Sequence, residues 1–200
     1  MEIKRVAVIG AGDMGHGIAE LFAMNGYSVA LMDAFPEALE SAKGKITQSL
    51  GKFVERGKLT KAQSDEAFSK IVFGGDIVTA VSHADLVVEA VPEIPELKKS
   101  ILKEVGQAAP REAVLASNTS NIRISELAES TPGPERVVGM HFFNPPVVMK
   151  LVEIVPGSKT DPAVIDALAS VCAKLGRTPI RVPIKTPAKQ YRRLIGRKVI

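Results

Sequence analysis

Residues 5–33 read RVAVIGAGDMGHGIAELFAMNGYSVALMD, and this stretch decides the fold. The apolar run 6–9 predicts a strand, and the glycine-rich segment 10–15 follows it directly. An amphipathic helix pattern comes next, and a second apolar run, 29–32, ends at Asp33. A strand, a glycine turn, a helix, a second strand and an acidic residue in this order are typical of a dinucleotide-binding domain.

Each residue of the glycine segment has a physical task in this interpretation. Gly10 permits the tight turn, Gly12 leaves room for a pyrophosphate, and Gly15 lets the helix pack on the strand. The N–H groups at the helix start would face the phosphates, and Asp33 would accept hydrogen bonds from a ribose diol. The alternative is that the glycines serve a tight turn alone. The cofactor-binding residues predicted here are Gly10, Gly12, Asp13, Met14, Gly15 and Asp33.

Composition is that of an ordinary globular enzyme domain. The chain has 200 residues, of which 46% are hydrophobic and 24% charged. Its one cysteine, Cys172, lies in an alanine-rich stretch and is predicted to be a small buried hydrophobe, and no metal site is predicted. A strand begins at once and no apolar run is long enough to span a bilayer, so we expect no signal peptide, no membrane partner and a reducing, cytoplasmic location.

The basic character of the chain is concentrated in its last segment. The formal net charge is +4, and residues 184–200 hold six lysines and arginines and no acidic residue. The rest of the chain therefore carries a net charge of −2. It lacks the basic, aromatic-rich face of a nucleic-acid-binding protein, so we expect no nucleic-acid partner.

Strand and helix patterns alternate along the chain. This alternation predicts an α/β fold, a Rossmann-type doubly wound and mostly parallel sheet, with an added strand pair near the end. Residues 1–183 would form this domain, and 184–200 a basic tail. The helix that begins at Pro36 is expected to turn Leu39, Ile46, Leu50 and Phe53 inward. The remaining predicted helices are 60–70, 93–107, 125–129 and 161–175, and the predicted strands are 71–73, 86–91, 113–116, 137–142, 149–156 and 178–182.

A second group of polar residues lies late in the chain. Glu153 falls within the apolar run MKLVEIV, where a carboxylate is costly to bury without a partner. His141, at the end of the preceding strand, is a natural partner because a carboxylate fixes the orientation of an imidazole. Taken singly, Glu153 suits a solvent-facing strand position and His141 a core histidine.

The motifs together resemble a known family. GAGDMGHGIA, VVEAVPE, SNTS, HFFNPP and LVEIV occur in this order in the NAD-dependent L-3-hydroxyacyl-CoA dehydrogenases, and the resemblance covers about residues 3–187. It implies that His141 is the general base for the 3-hydroxyl proton and that Glu153 orients His141 and stabilises its protonated form. It also implies that Ser120 hydrogen-bonds the reacting oxygen and the nicotinamide end of NAD.

Further roles follow from the resemblance alone. Glu93, Lys98 and Asn144 match cofactor-contacting positions of the family. Ser49 and Arg56 match its coenzyme A contacts, with arginine in place of the usual lysine. The resemblance thus implies NAD as cofactor and an acyl-CoA as substrate.

The sequence departs from the family after the last predicted strand. The family continues into an all-helical domain that supplies an asparagine, part of the acyl pocket and the dimer interface, whereas this sequence reads IKTPAKQYRRLIGRKVI. We therefore expect the helical domain to be absent, NADH binding to persist and turnover to be weak. Shortening, an altered reading frame and a natural short relative all stay open.

The face left by that domain is expected to be covered by self-association or by the tail. Tyr191, Leu194, Ile195 and Val199 would form one stripe if the tail is helical. Two other functions stay open as well. One is a dehydrogenase of a small hydroxy or sugar acid, and the other is a non-catalytic NAD-binding or structural protein.

Overall fold

A computed structural model describes residues 2–183 of the chain. The predicted tail and its apolar stripe lie outside the described residues. The strands are β1 Arg5–Ile9, β2 Ser28–Met32, β3 Ile71–Gly74, β4 Leu86–Glu89, β5 Val114–Ser117, β6 Val137–Phe142, β7 Leu151–Pro156 and β8 Thr178–Arg181. The helices are α1 Gly15–Met24, α2 Pro36–Glu55, α3 Lys61–Ser69, α4 Ile77–Val81, α5 Pro95–Ala108, α6 Ile124–Glu129 and α7 Pro162–Lys174, with a short 3₁₀ turn at Pro134–Arg136.

The described strands form one eight-stranded sheet in the order β3-β2-β1-β4-β5-β6-β7-β8. Strands β1 to β6 are parallel, β7 is antiparallel to β6, and β8 is parallel to β7. The predicted doubly wound, mostly parallel sheet with an added strand pair is confirmed. Predicted element bounds agree with the observed ones within two residues. Helix α4 lies outside the predicted elements because it has only five residues, although Asp76 caps it through the N–H of Thr79.

Both faces of the sheet are buried. Along β1, Val6 and Val8 pack into one hydrophobic cluster, and Ala7 and Ile9 pack into the other. A strand covered on both sides reads as a continuous apolar run, which is why 6–9 shows no alternation. Cys172 is fully buried in the first cluster, and burial raises the pKa of its thiol to about 12, so it packs as a small hydrophobe as predicted.

The strand order fixes where a ligand binds. The chain runs from β1 outward to β2 and β3, then crosses back to β4 on the other side of β1. The connections therefore leave β1 and β4 toward opposite faces of the sheet. In open α/β sheets, ligands bind in the crevice that this reversal opens at the carboxyl ends of the strands.

Candidate functional site

The glycine turn after β1 has the geometry that its sequence predicts. Gly10 has φ +101°, a conformation that favours glycine, and a Cβ there would lie 2.8 Å from the carbonyl oxygen of Ala90. A Cβ on Gly15 would lie 1.7 Å from the carbonyl oxygen of Gly10. A Cβ on Gly12 meets no described atom within 4 Å. Gly10 and Gly15 are thus required by the protein's own packing, whereas Gly12 leaves space in the cleft.

Helix α1 begins at this open space. Among the described residues, the backbone N–H groups of Gly12, Asp13 and Met14 have no acceptor. Free N–H groups at a helix start form an anion-binding site, strengthened by the helix dipole. The side chain of Asp13 turns to solvent, where its hydrogen bond from Lys45, at 2.8 Å, holds the pKa of Asp13 below its usual range. A pyrophosphate therefore fits against the backbone of this turn.

The cleft over the turn has a volume of about 670 Å³. Asp33 lies on its wall, where its two carboxylate oxygens accept the N–H groups of Ala11, at 2.7 Å, and Phe35, at 3.0 Å. These bonds fix the carboxylate at the end of β2 next to the glycine turn. The predicted residues Gly10, Gly12, Asp13, Met14, Asp33, Glu93 and Ser120 all line this cleft.

Glu93 shapes the far end of the cleft. Its Oε1 accepts the hydroxyl of Thr119 at 2.7 Å and the N–H groups of Ser120 and Asn121 at 2.8 and 3.0 Å. Burial raises the pKa of Glu93, but these hydrogen bonds and the Lys98 charge together lower it below its ordinary value. Glu93 therefore stays ionised and holds the loop after β5 that carries Ser120.

Lys98 occupies a different place from the other predicted cofactor contacts. It is fully buried behind the cleft, where its Nζ lies 2.7 Å from Glu89 and 3.5 Å from Glu93. Glu89 is fully buried as well and accepts the hydroxyl of Ser117 at 2.5 Å. Lys98 does not line the cleft, and it acts on the cleft only through its ion pair with Glu93, which does line it. Glu89 and Ser117, which the sequence analysis leaves unassigned, complete this buried cluster.

His141 and Glu153 meet across the antiparallel pair β6 and β7. The strand register places them directly opposite each other, and His141 Nδ1 lies 2.9 Å from Glu153 Oε2. Both are almost fully buried. The ring of Phe143 packs edge-on against the imidazole, with ring centres 4.8 Å apart. His141 and Glu153, proposed as partners from the sequence, thus form a direct hydrogen bond in the structure.

The other nitrogen of His141 faces the loop after β5. Its Nε2 lies 3.2 Å from Ser120 Oγ. Because an ionised carboxylate can only accept, the Nδ1 of His141 carries the hydrogen toward Glu153. The Nε2 of the neutral ring is then an acceptor beside the cofactor cleft. Glu153, His141 and Ser120 form one hydrogen-bonded line whose open end can take a proton from a hydroxyl group.

Two asparagines lie near this line, and one is unassigned by the sequence analysis. Asn118, within the SNTS motif, lines the cleft and its Oδ1 accepts the N–H of Phe142 at 2.9 Å. This bond ties the loop after β5 to the end of β6. Asn144 is exposed, precedes a cis bond to Pro145 and does not line the described cleft.

A second cavity, of about 320 Å³, lies between α1, α2 and the loop after β6. Ser49 and Arg56, which the resemblance pairs, both line it. Phe53, predicted to face the core, is half-buried and lines the same cavity, unlike Leu39, Ile46 and Leu50, which are buried as predicted. Three permanent cations, Lys45, Lys52 and Arg56, are among its lining residues.

Glu20 lies behind the second cavity on α1. It is only 1% exposed, and its Oε1 has no hydrogen-bond partner among the described residues. Burial raises the pKa of Glu20 from 4.5 to about 7, against a smaller opposing effect of Ser49. Glu20 is therefore largely protonated in the folded chain below neutral pH.

Replacing Glu20 with glutamine is expected to flatten the dependence of folding stability on pH. Between pH 4.5 and about 7 the unfolded chain has lost a proton that the folded chain keeps, so wild-type stability falls as the pH rises. At about 1.4 kcal/mol per pH unit the loss is about 3 kcal/mol. Urea unfolding of both proteins across this range measures it, and parallel curves for the two would contradict the assignment.

No metal site or membrane span is found in the described part of the chain. Within residues 2–183, no three histidine, cysteine, aspartate or glutamate side chains are grouped as metal ligands. None of the helices in the same residues is long and apolar enough to cross a membrane.

The fold and the site together define a Rossmann-type dinucleotide-binding domain with a histidine–glutamate pair beside its cofactor cleft. Residues 5–186 match the family described as 3-hydroxyacyl-CoA dehydrogenase, NAD binding domain. The chain belongs to this family, and NAD is its cofactor, which the glycine turn and the open space at Gly12 fit.

Known relatives agree with this assignment. The chain is 41% identical over 181 residues to a 3-hydroxyadipyl-CoA dehydrogenase of Escherichia coli, a match that covers 90% of this chain and 38% of the relative. It is 38% identical to a probable 3-hydroxybutyryl-CoA dehydrogenase of Bacillus subtilis, with 91% and 63% covered. The crystal structure of (S)-3-hydroxybutyryl-CoA dehydrogenase from Ralstonia eutropha superposes with a TM-score of 0.88 at 35% identity, covering 90% and 64%. The chain thus spans less than two thirds of the length of these relatives.

Proposed function

We propose that this chain is the cofactor-binding part of an enzyme that oxidises (S)-3-hydroxyacyl-CoA to 3-ketoacyl-CoA with NAD. The observation that carries the proposal is the hydrogen-bonded line from Glu153 through His141 to Ser120, which opens beside the cofactor cleft. Residues 1–183 form the NAD-binding domain in this proposal, and 184–200 form a basic segment outside it. The single buried Cys172 suits a reducing compartment, and we place the enzyme in the cytoplasm.

The line of side chains supports alcohol oxidation by general base catalysis. NAD, when bound, supplies a nicotinamide carbon that accepts a hydride from C3 of the substrate. His141 Nε2 takes the proton of the 3-hydroxyl group, and Ser120 Oγ hydrogen-bonds the same oxygen. Glu153 then faces an imidazolium and stabilises its charge. In the reverse direction His141 returns the proton to the forming alcohol.

The remaining cofactor contacts are proposed from residues that line the cleft or lie close to it. Gly10, Gly12, Asp13, Met14 and Gly15 form the turn at the pyrophosphate, and Asp33 holds the adenosine ribose. Glu93 lies toward the nicotinamide end, where Lys98 neutralises part of its charge from behind. Asn144 joins them in this proposal as an exposed residue that contacts the cofactor when it is bound.

The second cavity is proposed to hold part of coenzyme A. Ser49 supplies a hydroxyl group, and Arg56 supplies a guanidinium that suits a phosphate. The relatives described above are named as dehydrogenases of 3-hydroxyadipyl-CoA and 3-hydroxybutyryl-CoA, both of which are coenzyme A thioesters. Pro145, Val147 and Val148 line this cavity and follow β6, the strand that carries His141, so we propose that one substrate reaches both the cavity and His141.

This domain is expected to bind NADH far more tightly than NADPH. Asp33 carries a negative charge where the ribose 2′-phosphate of NADPH would lie, and residues 34–37 contain no arginine to receive that phosphate. We expect at least a roughly ten-fold preference, equal to about 1.4 kcal/mol. Calorimetric titration with both cofactors measures it, and equal or tighter binding of NADPH would contradict the role of Asp33.

The 200-residue chain is proposed to self-associate. Ile94, Val148 and Met149 are exposed apolar side chains near the two cavities. Exposed apolar surface beside a site often marks an interface. Sedimentation velocity of the chain is expected to show concentration-dependent association, weakened when Val148 and Met149 are both replaced with serine. A strictly monomeric chain would contradict this proposal.

NADH oxidation driven by acetoacetyl-CoA tests the proposed function. The 200-residue chain is expected to bind NADH and to turn over slowly, because clamping of the acyl group needs a second wall. A fusion in which the C-terminal part of the Bacillus subtilis relative follows residue 183 is expected to turn over far faster. Oxidation with small hydroxy-acid substrates instead would favour a different dehydrogenase, and NADH binding without turnover in either protein would favour a non-catalytic role.

A further inference from the structure

His16 lies on the wall of the second cavity, in the first turn of helix α1. Its Nδ1 is 2.8 Å from the carbonyl oxygen of Gly12. A carbonyl oxygen can only accept, so Nδ1 carries the hydrogen of this bond. The neutral ring therefore has a bare Nε2, which repels an anion, whereas the protonated ring has an Nε2–H that can donate to one.

The charges around His16 favour an anionic ligand. Lys45, Lys52 and Arg56 project from α2 into the same cavity, and no acidic residue is among its described lining residues. The loop after β6 contributes Pro145, Val147 and Val148, which carry no charge.

Two acids lie nearby without lining the cavity. Asp13 is held by Lys45, at 2.8 Å. Glu20, one turn further along α1, is buried behind Ser49. The charge of His16 has a small effect on the pKa of Asp13 beside the larger effect of Lys45, and neither Asp13 nor Glu20 is among the lining residues of the cavity.

We propose that His16 takes up a proton when coenzyme A enters the second cavity and donates its Nε2–H to a phosphate oxygen of the ligand. The proposal rests on the proposed function, since it takes coenzyme A as the occupant. Gly12 fixes the ring through Nδ1, so that protonation changes Nε2 alone. The affinity of the cavity for coenzyme A then depends on pH through His16, in addition to the permanent cations.

The direction of this pH dependence distinguishes the titration of His16 from the titration of the phosphate group of coenzyme A. A phosphate monoester gains negative charge as the pH rises past about 6, which strengthens its attraction to lysine and arginine. Deprotonation of His16 acts in the opposite direction. Weaker binding at higher pH therefore points to the protein and not to the phosphate groups of coenzyme A.

Calorimetric titration of the 200-residue chain with coenzyme A, between about pH 5 and pH 8, tests the proposal. The wild-type affinity is expected to fall on the order of ten-fold across this range, the size of one charge-assisted hydrogen bond. His16→Gln is expected to lose this fall, with affinity constant or rising with pH. In buffers of different ionisation enthalpy, the wild type is expected to take up a proton on binding and His16→Gln is not.

Two matched variants complete the test. His83→Gln removes an exposed histidine away from the cavity, and Glu20→Gln removes the nearby buried acid. Both are expected to keep the wild-type pH dependence. If the affinity of His16→Gln for coenzyme A depends on pH as that of the wild type does, the inference is overturned. The inference is also overturned if Glu20→Gln loses the pH dependence. In both cases the proposed function stays in place. Failure of the wild type to bind coenzyme A at any pH overturns both the inference and the acyl-CoA part of the proposed function.

Discussion

Replacing Glu153 with glutamine is expected to lower turnover roughly 10²- to 10⁴-fold, the range of a general-base contribution. Glutamine keeps the size of the side chain but removes the charge that faces Nδ1 of His141 at 2.9 Å. An imidazolium formed during catalysis then has no counter-charge in a buried site. Because Glu153 lies on β7 and is not among the lining residues of the described cleft, NADH affinity is expected to stay unchanged.

Turnover is measured in the fusion protein described above, because the 200-residue chain is expected to turn over too slowly to show a further loss. Steady-state oxidation of NADH with acetoacetyl-CoA is compared in the wild type, Glu153→Gln and Glu153→Asp. The aspartate variant keeps the charge at a greater distance and is expected to fall between the other two. Glu96→Gln, which removes an exposed acid on α5, serves as the control. Unchanged turnover in Glu153→Gln would leave Glu153 as an ordinary strand residue.

Alanine substitutions at two glycines of the cofactor turn are expected to change different properties. Gly15→Ala lowers folding stability, whereas Gly12→Ala lowers the affinity for NADH. At Gly15 the new Cβ would lie 1.7 Å from a backbone oxygen, so Gly15→Ala is expected to cost about 3 kcal/mol of folding stability. At Gly12 the new Cβ meets no described atom within 4 Å, so Gly12→Ala is expected to change stability by less than about 0.5 kcal/mol. The methyl group would instead occupy space that the pyrophosphate needs, and NADH affinity is expected to fall roughly 10- to 100-fold.

Urea unfolding without cofactor and fluorescence titration with NADH separate these two effects. Gly12→Ala is expected to unfold like the wild type and to bind NADH weakly. Wild-type NADH affinity in Gly12→Ala would mean that the pyrophosphate lies elsewhere. Wild-type stability in Gly15→Ala would mean that the turn relaxes more easily than its close contact with Gly10 indicates.

The cofactor turn could be predicted from the sequence because its determinants are local. Gly15 and Asp33 make their contacts inside one strand–helix–strand unit, and Gly10 has φ +101° in the same turn, although a Cβ at Gly10 would meet Ala90, which follows β4. The direct pairing of His141 with Glu153 depends on the register of two strands, which sequence spacing alone does not set. An acid in an apolar strand suggests a buried partner, but the sequence favours the pair only through the resemblance of the surrounding motifs to the family.

Other features depend on contacts between distant segments. Glu89 ends the apolar strand β4 in the way that Glu153 interrupts β7, so the sequence shows the same sign of a buried acid at both positions. The burial of Lys98 could not be predicted, because it follows from the packing of α5 on the end of β4. Phe53 lies at the border of core and cavity, where helical spacing does not distinguish the two.

A structure of the fusion protein with NAD⁺ and acetoacetyl-CoA bound, a pair that cannot exchange a hydride, tests the central claim most directly. The account predicts that the 3-oxo oxygen of the ligand lies roughly 3 Å from both His141 Nε2 and Ser120 Oγ, with Glu153 still hydrogen-bonded to Nδ1. The nicotinamide ring would then face the carbon that bears this oxygen. An acyl group bound away from His141, or a His141 turned from Glu153 in the complex, would contradict the account.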